Sequence, residues 1–170
     1  MLVVRSFSNL AKKRLGGKQM PNLVQNPGFE AGLAGWTATN VTPADVNPFE
    51  GTAAARLGPG IASLFQDIPI DGYKRLSFLL SFAVEAPLSF NPGDLTVQVQ
   101  WLDATGTVIG IGLSLFIPSA TTGTQFFWLT YVDATENAPI NAKTARIIFS
   151  KAQGSGRDVL DVDKVVLLRV

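Results

Sequence analysis

The stretch "DLTVQVQWLD" limits the fold more than any other part of the chain. Leu95, Val97, Val99 and Trp101 alternate with Thr96, Gln98, Gln100 and Leu102. A period of two places these sets on opposite faces of a strand, one facing a core and the other polar but uncharged. "RLSFLLSFAV" repeats the pattern, with Leu76, Phe78, Leu80, Phe82 and Val84 on one face. Further strands are expected at 52–57, 61–68, 107–117, 125–132, 143–150 and 158–169, separated by Gly, Pro, Asn and Asp. "DATG" at 103–106 is a turn, with Gly106 able to take a positive φ. No long helical period interrupts the series. Eight or nine strands within 21–170 predict an all-β, antiparallel sandwich. Periodicity alone leaves the strand order open.

The first twenty residues differ from the rest. They hold Arg5, Lys12, Lys13, Arg14 and Lys18 and no acid, taking five of the fourteen bases and leaving nine against thirteen acids elsewhere. The chain divides into a basic N-terminal arm, 1–20, and a mildly acidic sandwich domain, 21–170. Leu2, Val3, Val4 and Phe7 form a β-compatible run able to add as a strand to an exposed sheet edge. A loosely amphipathic helix over 8–15 competes with that reading. Five charges without interleaved aromatics do not make a nucleic-acid surface. The arm has its apolar run ahead of its charges, unlike a secretory signal; its Arg and Ser without acids share features with a mitochondrial presequence, and Met20 is a candidate alternative start.

The chain has no cysteine and no histidine. That removes disulfides, a thiol nucleophile, the serine-histidine triad and the commonest transition-metal ligand. The carboxylates fall mostly in predicted turns, and nothing pairs two of them as a glycosidase requires. The glycines of "GTVIGIG" lack the Lys-Ser/Thr of a phosphate loop and the strand-helix context of a dinucleotide site. A non-enzymatic protein is expected. Charged residues make up 16% of the chain, against about 25% in an average soluble domain. A surface that poor in charge suits a protein partly covered by neighbours.

Taken in order, "NLVQNPGFEAGLAGWT", "GTAAARL", "ASLFQDIPI", "VQVQWLDATGTVIG", "APINAKTARIIFS" and "DVLDVDKVVLL" resemble the jelly-roll family of carbohydrate-binding modules and their galactose-binding-like relatives. The resemblance spans essentially 22–170. Within that group the wording is most similar to N-terminal domains of firmicute spore-surface and tandem-repeat proteins, some of which precede collagen-like or fibre-forming regions. It implies a jelly roll in which Trp36 closes one end of the sandwich. It also implies a structural calcium held by Glu30 and Asp163 with backbone carbonyls near 50–52, oxygen ligands that calcium accepts without histidine. The family pattern often ends in two adjacent acids before valine, whereas here Asp163 and Lys164 precede Val165, putting a cation beside the site. In the simpler alternative Glu30 only accepts turn hydrogen bonds.

Trp101 lies on the apolar face of its strand and is expected in the core. Trp128 and Tyr131 fall on opposite faces, so at least one is expected to be exposed. Gln98, Gln100 and Trp128 are candidates for a platform on which a sugar ring stacks while amides bond its hydroxyls; ordinary sheet packing is the alternative. The apolar stretch 108–119 is too short to span a bilayer, which needs about 20 residues. It puts Ile109, Ile111, Leu113, Leu115 and Ile117 on one face and Gly110, Gly112, Ser114, Phe116 and Pro118 on the other, which points to burial on both sides or to a subunit contact. These features predict a structural or attachment subunit of a bacterial spore or cell surface, such as a fibre, exosporium or outer layer. It would self-assemble into a homo-oligomer or filament through sheet edges and the arm, with other surface-layer proteins as further partners. Spore layers are laid down from inside the mother cell, so a missing export signal is no obstacle. The alternative is a carbohydrate-binding module acting as a lectin-like adhesin, and a sandwich hydrolase comes third.

Overall fold

The alternating segments pair into two five-stranded antiparallel sheets in a computed structural model that describes residues 20–70, 76–87, 91–124, 127–155 and 158–170. The expected arm strand, Leu2, Val3, Val4 and Phe7, lies outside the described residues. In chain order the strands are β1 (Thr37–Thr39), β2 (Val41–Ala44), β3 (Ala54–Leu57), β4 (Ala62–Pro69), β5 (Phe78–Glu85), β6 (Leu95–Leu102), β7 (Val108–Ile117), β8 (Leu129–Ala134), β9 (Thr144–Lys151) and β10 (Leu160–Arg169). The first sheet has the order β1-β4-β9-β6-β7 and the second β2-β3-β10-β5-β8. This is the expected jelly-roll sandwich, with β1 and β2 added as short strands whose Thr, Ala and Pro carry no apolar alternation. The strand expected at 125–132 runs instead over Leu129–Ala134.

Alternation sets what each sheet buries. Leu95, Val97, Val99 and Trp101 of β6 and Ile147 and Phe149 of β9 face Phe78, Leu80, Phe82 and Val84 of β5 and Leu160, Val162 and Leu167 of β10. Trp101 packs on Phe78 at 5.8 Å, and Phe82 meets Phe149 edge-on at 5.2 Å. Tyr131 is buried against Phe82, so of the pair with Trp128 it is the core member.

The segment 22–36 closes one end. Gln66, buried in β4, accepts from the Gln25 amide at 2.8 Å and donates to its carbonyl at 3.0 Å, copying one rung of a β-ladder with a side chain. Asn26 donates to the carbonyls of Gly32 and Ala34 and accepts from Ala31 N–H. That knot turns Phe29 and Trp36 inward, 5.3 Å apart, with the indole N–H donating to the Asn26 carbonyl. Phe29 is held at φ 57 and is fully buried, so its packing offsets an unfavourable backbone.

β7 departs from simple alternation. Register shifts between β6 and β7 place Gln100 opposite Ile111 and Trp101 opposite Gly110. The extra residue turns Ile111 out, 52% exposed, and presses Gly112 onto the Trp101 indole, where an added Cβ would lie 2.3 Å from the ring. The expected apolar face of 108–119 therefore breaks at Ile111. The cause is a β-bulge, which period-two counting does not register.

At the opposite end Lys151 and Asp158 are buried as an ion pair at 3.2 Å. The ammonium also donates to the carbonyls of Gly60 and Ala152, and the carboxylate accepts from Gly60 N–H and Gly154 N–H. Burial pulls the Lys151 pKa down against the pull of Asp158. Removing one partner of such a pair strands the other charge, whereas an apolar pair of similar volume does not. Lys151→Ala is expected to lower urea-unfolding stability by about 3 to 5 kcal/mol. Lys151→Met combined with Asp158→Leu should recover most of that loss.

Candidate functional site

The two outer faces of the sandwich differ in cover. That of the second sheet is partly roofed by 45–53, whose Asn47 carbonyl accepts from the Trp128 indole at 3.0 Å while Phe49 packs on Trp128 at 5.9 Å. Beneath it Glu85, Asp161 and Asp163 are buried. Glu85 accepts from Asn47, and Asp161 takes a bidentate bond from Arg56 at 2.8 and 2.7 Å. Burial raises the Asp161 pKa in spite of that arginine.

The outer face of the first sheet is a polar field built by strand register. Thr39, Ser63, Ser150 and Thr96 align across β1, β4, β9 and β6, at the usual interstrand spacing of about 4.8 Å. The next row is Thr37, Phe65, Ile148, Gln98 and Ser114, and the next Asp67, Arg146, Gln100 and Ile111. Gln100 donates to Gln98 at 2.9 Å and Gln98 to Ser114 at 3.3 Å, so the two amides form a directed chain along the face. Arg146 is clamped by Asp67 at 2.6 and 2.7 Å and lies 4.4 Å over the Phe65 ring. The hydrogen bonds that Arg146 donates to Asp67 raise its pKa, keeping the guanidinium charged. Such a face can exchange hydrogen bonds with several hydroxyls at once; of its two aromatic rings Phe65 is covered by the guanidinium, while Phe116, opposite Thr96 on β7, is 61% exposed.

Gln98 and Gln100 thus share a face, but Trp128 belongs to the far side of the sandwich with its N–H and ring engaged by 45–53. The three do not form one platform, because β6 and the segment before β8 lie in opposite sheets. Phe65, Asp67 and Arg146 were absent from the expected site. Their signal was present in the alternation of "ASLFQDIP" and "TARIIFSK", whose outward positions become neighbours only once β4 and β9 are paired.

Glu30 and Asp163 do converge. Glu30 accepts from Thr52 N–H at 2.9 Å and Thr52 Oγ1 at 2.5 Å, and these bonds lower its pKa. Asp163 accepts from Glu50 N–H at 3.0 Å and Lys164 N–H at 2.6 Å. An added Cβ on Gly28 would stand 3.7 Å from one Asp163 oxygen and 3.8 Å from one Glu30 oxygen, so both carboxylates face the space that glycine leaves. Lys164 turns to Glu50 rather than to Asp163. A groove of about 480 Å³ opens beside them, bordered by Asn26, Gly28, Glu30, Glu50 and Lys164. Burial, with a smaller contribution from the Glu30 charge, raises Asp163 to about 6. Among the described residues no third acid gathers beside these two, and the backbone of 50–52 meets them with N–H groups rather than the expected carbonyls, so a divalent cation here would have only two acidic side chains to hold it.

No family model matches the chain, and no curated protein matches it. Solved structures do. Over 88% of its length it superposes on the enzymatically active domain of tailspike protein 4 from bacteriophage CBA120, with a TM-score of 0.66 and 21% identity, spanning 21% of that chain. It covers 99% of a family 61 carbohydrate-binding module solved with β-1,4-galactotriose, with 88% of its own length aligned, a TM-score of 0.59 and 18% identity. It covers 96% of the xylan-binding CBM22-1 domain of a Paenibacillus barcinonensis protein, with 89% of its own length aligned, a TM-score of 0.61 and 15% identity. At these identities the likeness is one of fold: the jelly-roll sandwich of carbohydrate-binding modules.

The raised Asp163 sets a pH dependence. Its folded form keeps the proton up to about pH 6, whereas the unfolded form releases it near 3.8. Between those values the folded state binds more protons, so stability falls as pH rises. In chelator, chemical unfolding should show this carboxyl contributing a decline of roughly 2 to 3 kcal/mol between about pH 4 and pH 6. Asp163→Asn should remove that decline, at the loss of one of the two backbone hydrogen bonds it accepts.

Proposed function

We propose that the chain is a non-catalytic glycan-binding module that receives a polysaccharide on the outer face of the first sheet. The observation that carries this reading is the uncharged hydroxyl and amide field across β1, β4, β9 and β6, centred on Gln98 and Gln100 and bounded by the Asp67–Arg146 pair. The galactotriose-bound and xylan-binding neighbours of the same fold support it. Against catalysis stand the missing histidine and cysteine, and the carboxylates engaged in structure: Asp67 by Arg146, Asp161 by Arg56, Asp158 by Lys151 and Glu30 by Thr52.

The setting we propose is attachment at a bacterial spore or cell surface. A purely structural subunit of such a layer, as in a fibre or exosporium, is the second reading, favoured by the uncharged outer strand β7. We further propose that calcium bridges Glu30 and Asp163, fixing the roof over the second sheet without touching the glycan face.

Titration calorimetry against soluble xylan and β-1,4-galactan tests the first proposal. Binding to either should weaken by about tenfold or more when Gln98 and Gln100 are both changed to alanine, with the melting temperature unchanged. Equal binding by that variant, or no binding to any of a panel of soluble polysaccharides, would sink the glycan reading. Melting in calcium and in chelator tests the metal, because a ligand that binds only the folded state must raise stability. Calcium should raise the melting temperature at pH 7.5, and Glu30→Gln should abolish the increment.

A further inference from the structure

The roof over the second sheet stops short of its end. Past the acids of β5 and β10, register sets Val166 opposite Ser81 and Ser81 opposite Val132, then Leu168 opposite Leu79 and Leu79 opposite Ala134. Their chain neighbours Leu167, Leu80 and Tyr131 point into the core, so these side chains point out. None of the six is charged. Val166 and Leu168 also wall the groove of about 480 Å³, which has Met20 along its border together with Glu30 and Glu50. Glu30 is exposed and meets no cation among the described residues.

The described chain begins at that groove, with residues 1–19 ahead of Met20. In those residues Phe7, Leu10, Ala11 and Leu15 recur at the spacing of one helical face. Ser8 can cap the start of such a helix, Lys12, Lys13 and Arg14 fall in its last turn where the dipole favours cations, and Gly16 and Gly17 stop it. A helix over 8–15 is about 12 Å long. The face from β10 across β5 to β8 is about 10 Å wide. Residues 16–19, fully extended, reach about 14 Å, enough to lay that helix back across the strands beside Met20.

We propose that residues 7–15 pack as a helix on this face of their own chain, with Phe7, Leu10 and Leu15 over Val166, Leu168 and Leu79 and the bases turned toward Glu30 and Glu50. Two other places lie within reach of the arm, and charge separates them from this one. A second groove, bordered by Met20, Leu23, Ile70 and Phe78, has Arg169 and no acid in its wall. The edge strand β7 carries no charge along its length. The groove beside β10 joins an apolar floor to two acids against the single base Lys164, which suits an arm of five bases and no acid. Concentration selects the same chain over a neighbour, because so short a linker holds the arm at an effective concentration in the millimolar range.

Two measurements on the full chain test the assignment. The sequence has no cysteine, so an introduced pair reports one contact. On mild oxidation Leu10→Cys with Leu168→Cys should close a disulfide within a single chain, about tenfold or more faster than Leu10→Cys with Phe116→Cys. Melting supplies a double-mutant cycle. Leu10→Lys and Leu168→Lys should each lower the melting temperature by about 3 to 6 °C, and the two together should lower it no further than the larger single shift, since either one alone already releases the helix. Equal closure rates for the two cysteine pairs, a disulfide formed only between chains, a Leu10→Lys protein that melts unchanged, or shifts that simply add would each overturn the proposal.

Discussion

The segment 45–53, folded down over β10, is the constraint on which the two faces of this sandwich depend. It leaves β2 at one edge of the second sheet, crosses the buried acids of β5 and β10, and reaches Trp128 beside the other edge before returning to β3. Its backbone and Asn47 supply hydrogen bonds that Glu85 and Asp163 would otherwise take from water. Without it two carboxylates would lose partners they need, since a buried charge left unpaired is far more costly than a paired one. By covering part of one outer face it leaves the other as the broad open sheet. Which outer face stays open is thus decided by what covers the far side.

Much of this architecture could be read from the chain. Where a strand is flanked by partners on both sides and buried on one face, as β6, β5 and β9 are, alternation states the inward residues one by one. Trp101 and the Leu95, Val97, Val99 series needed no structure to be placed, while Trp36, which precedes β1, was placed through the resemblance in motif order. β1 and β2 escaped because a strand of only three or four residues is held by its neighbours' hydrogen bonds rather than by its own pattern. The bulge in β7 escaped for a related reason: it answers to the size of Trp101 across the ladder, which demands glycine at 112 and shifts Ile111 outward.

The site was legible in part. Gln98 and Gln100 were visible as polar positions on a strongly alternating strand. Arg146, Asp67 and Phe65 were not, because their meaning lies in a pairing of β4 with β9 across about eighty residues of chain. Trp128 misled because an aromatic next to a strand looks the same in sequence whether it crowns an open face or anchors a loop. The acids divide similarly. Glu30 and Asp163 were brought to one space only through the resemblance in motif order, while the Lys151–Asp158 pair gave no sign, since its logic is burial at a sandwich end formed by three separate turns.

Arg146 lying over Phe65 has a consequence for how tightly such a face holds anything. A guanidinium over the Phe65 ring takes the place a flat ligand would otherwise take there. The uncovered ring of this face is Phe116, which register sets opposite Thr96 on the outermost strand. Stacking on this sheet is therefore confined to its outer strand, while the middle of the face offers only hydrogen bonds, individually weak in net terms at on the order of 1 kcal/mol each.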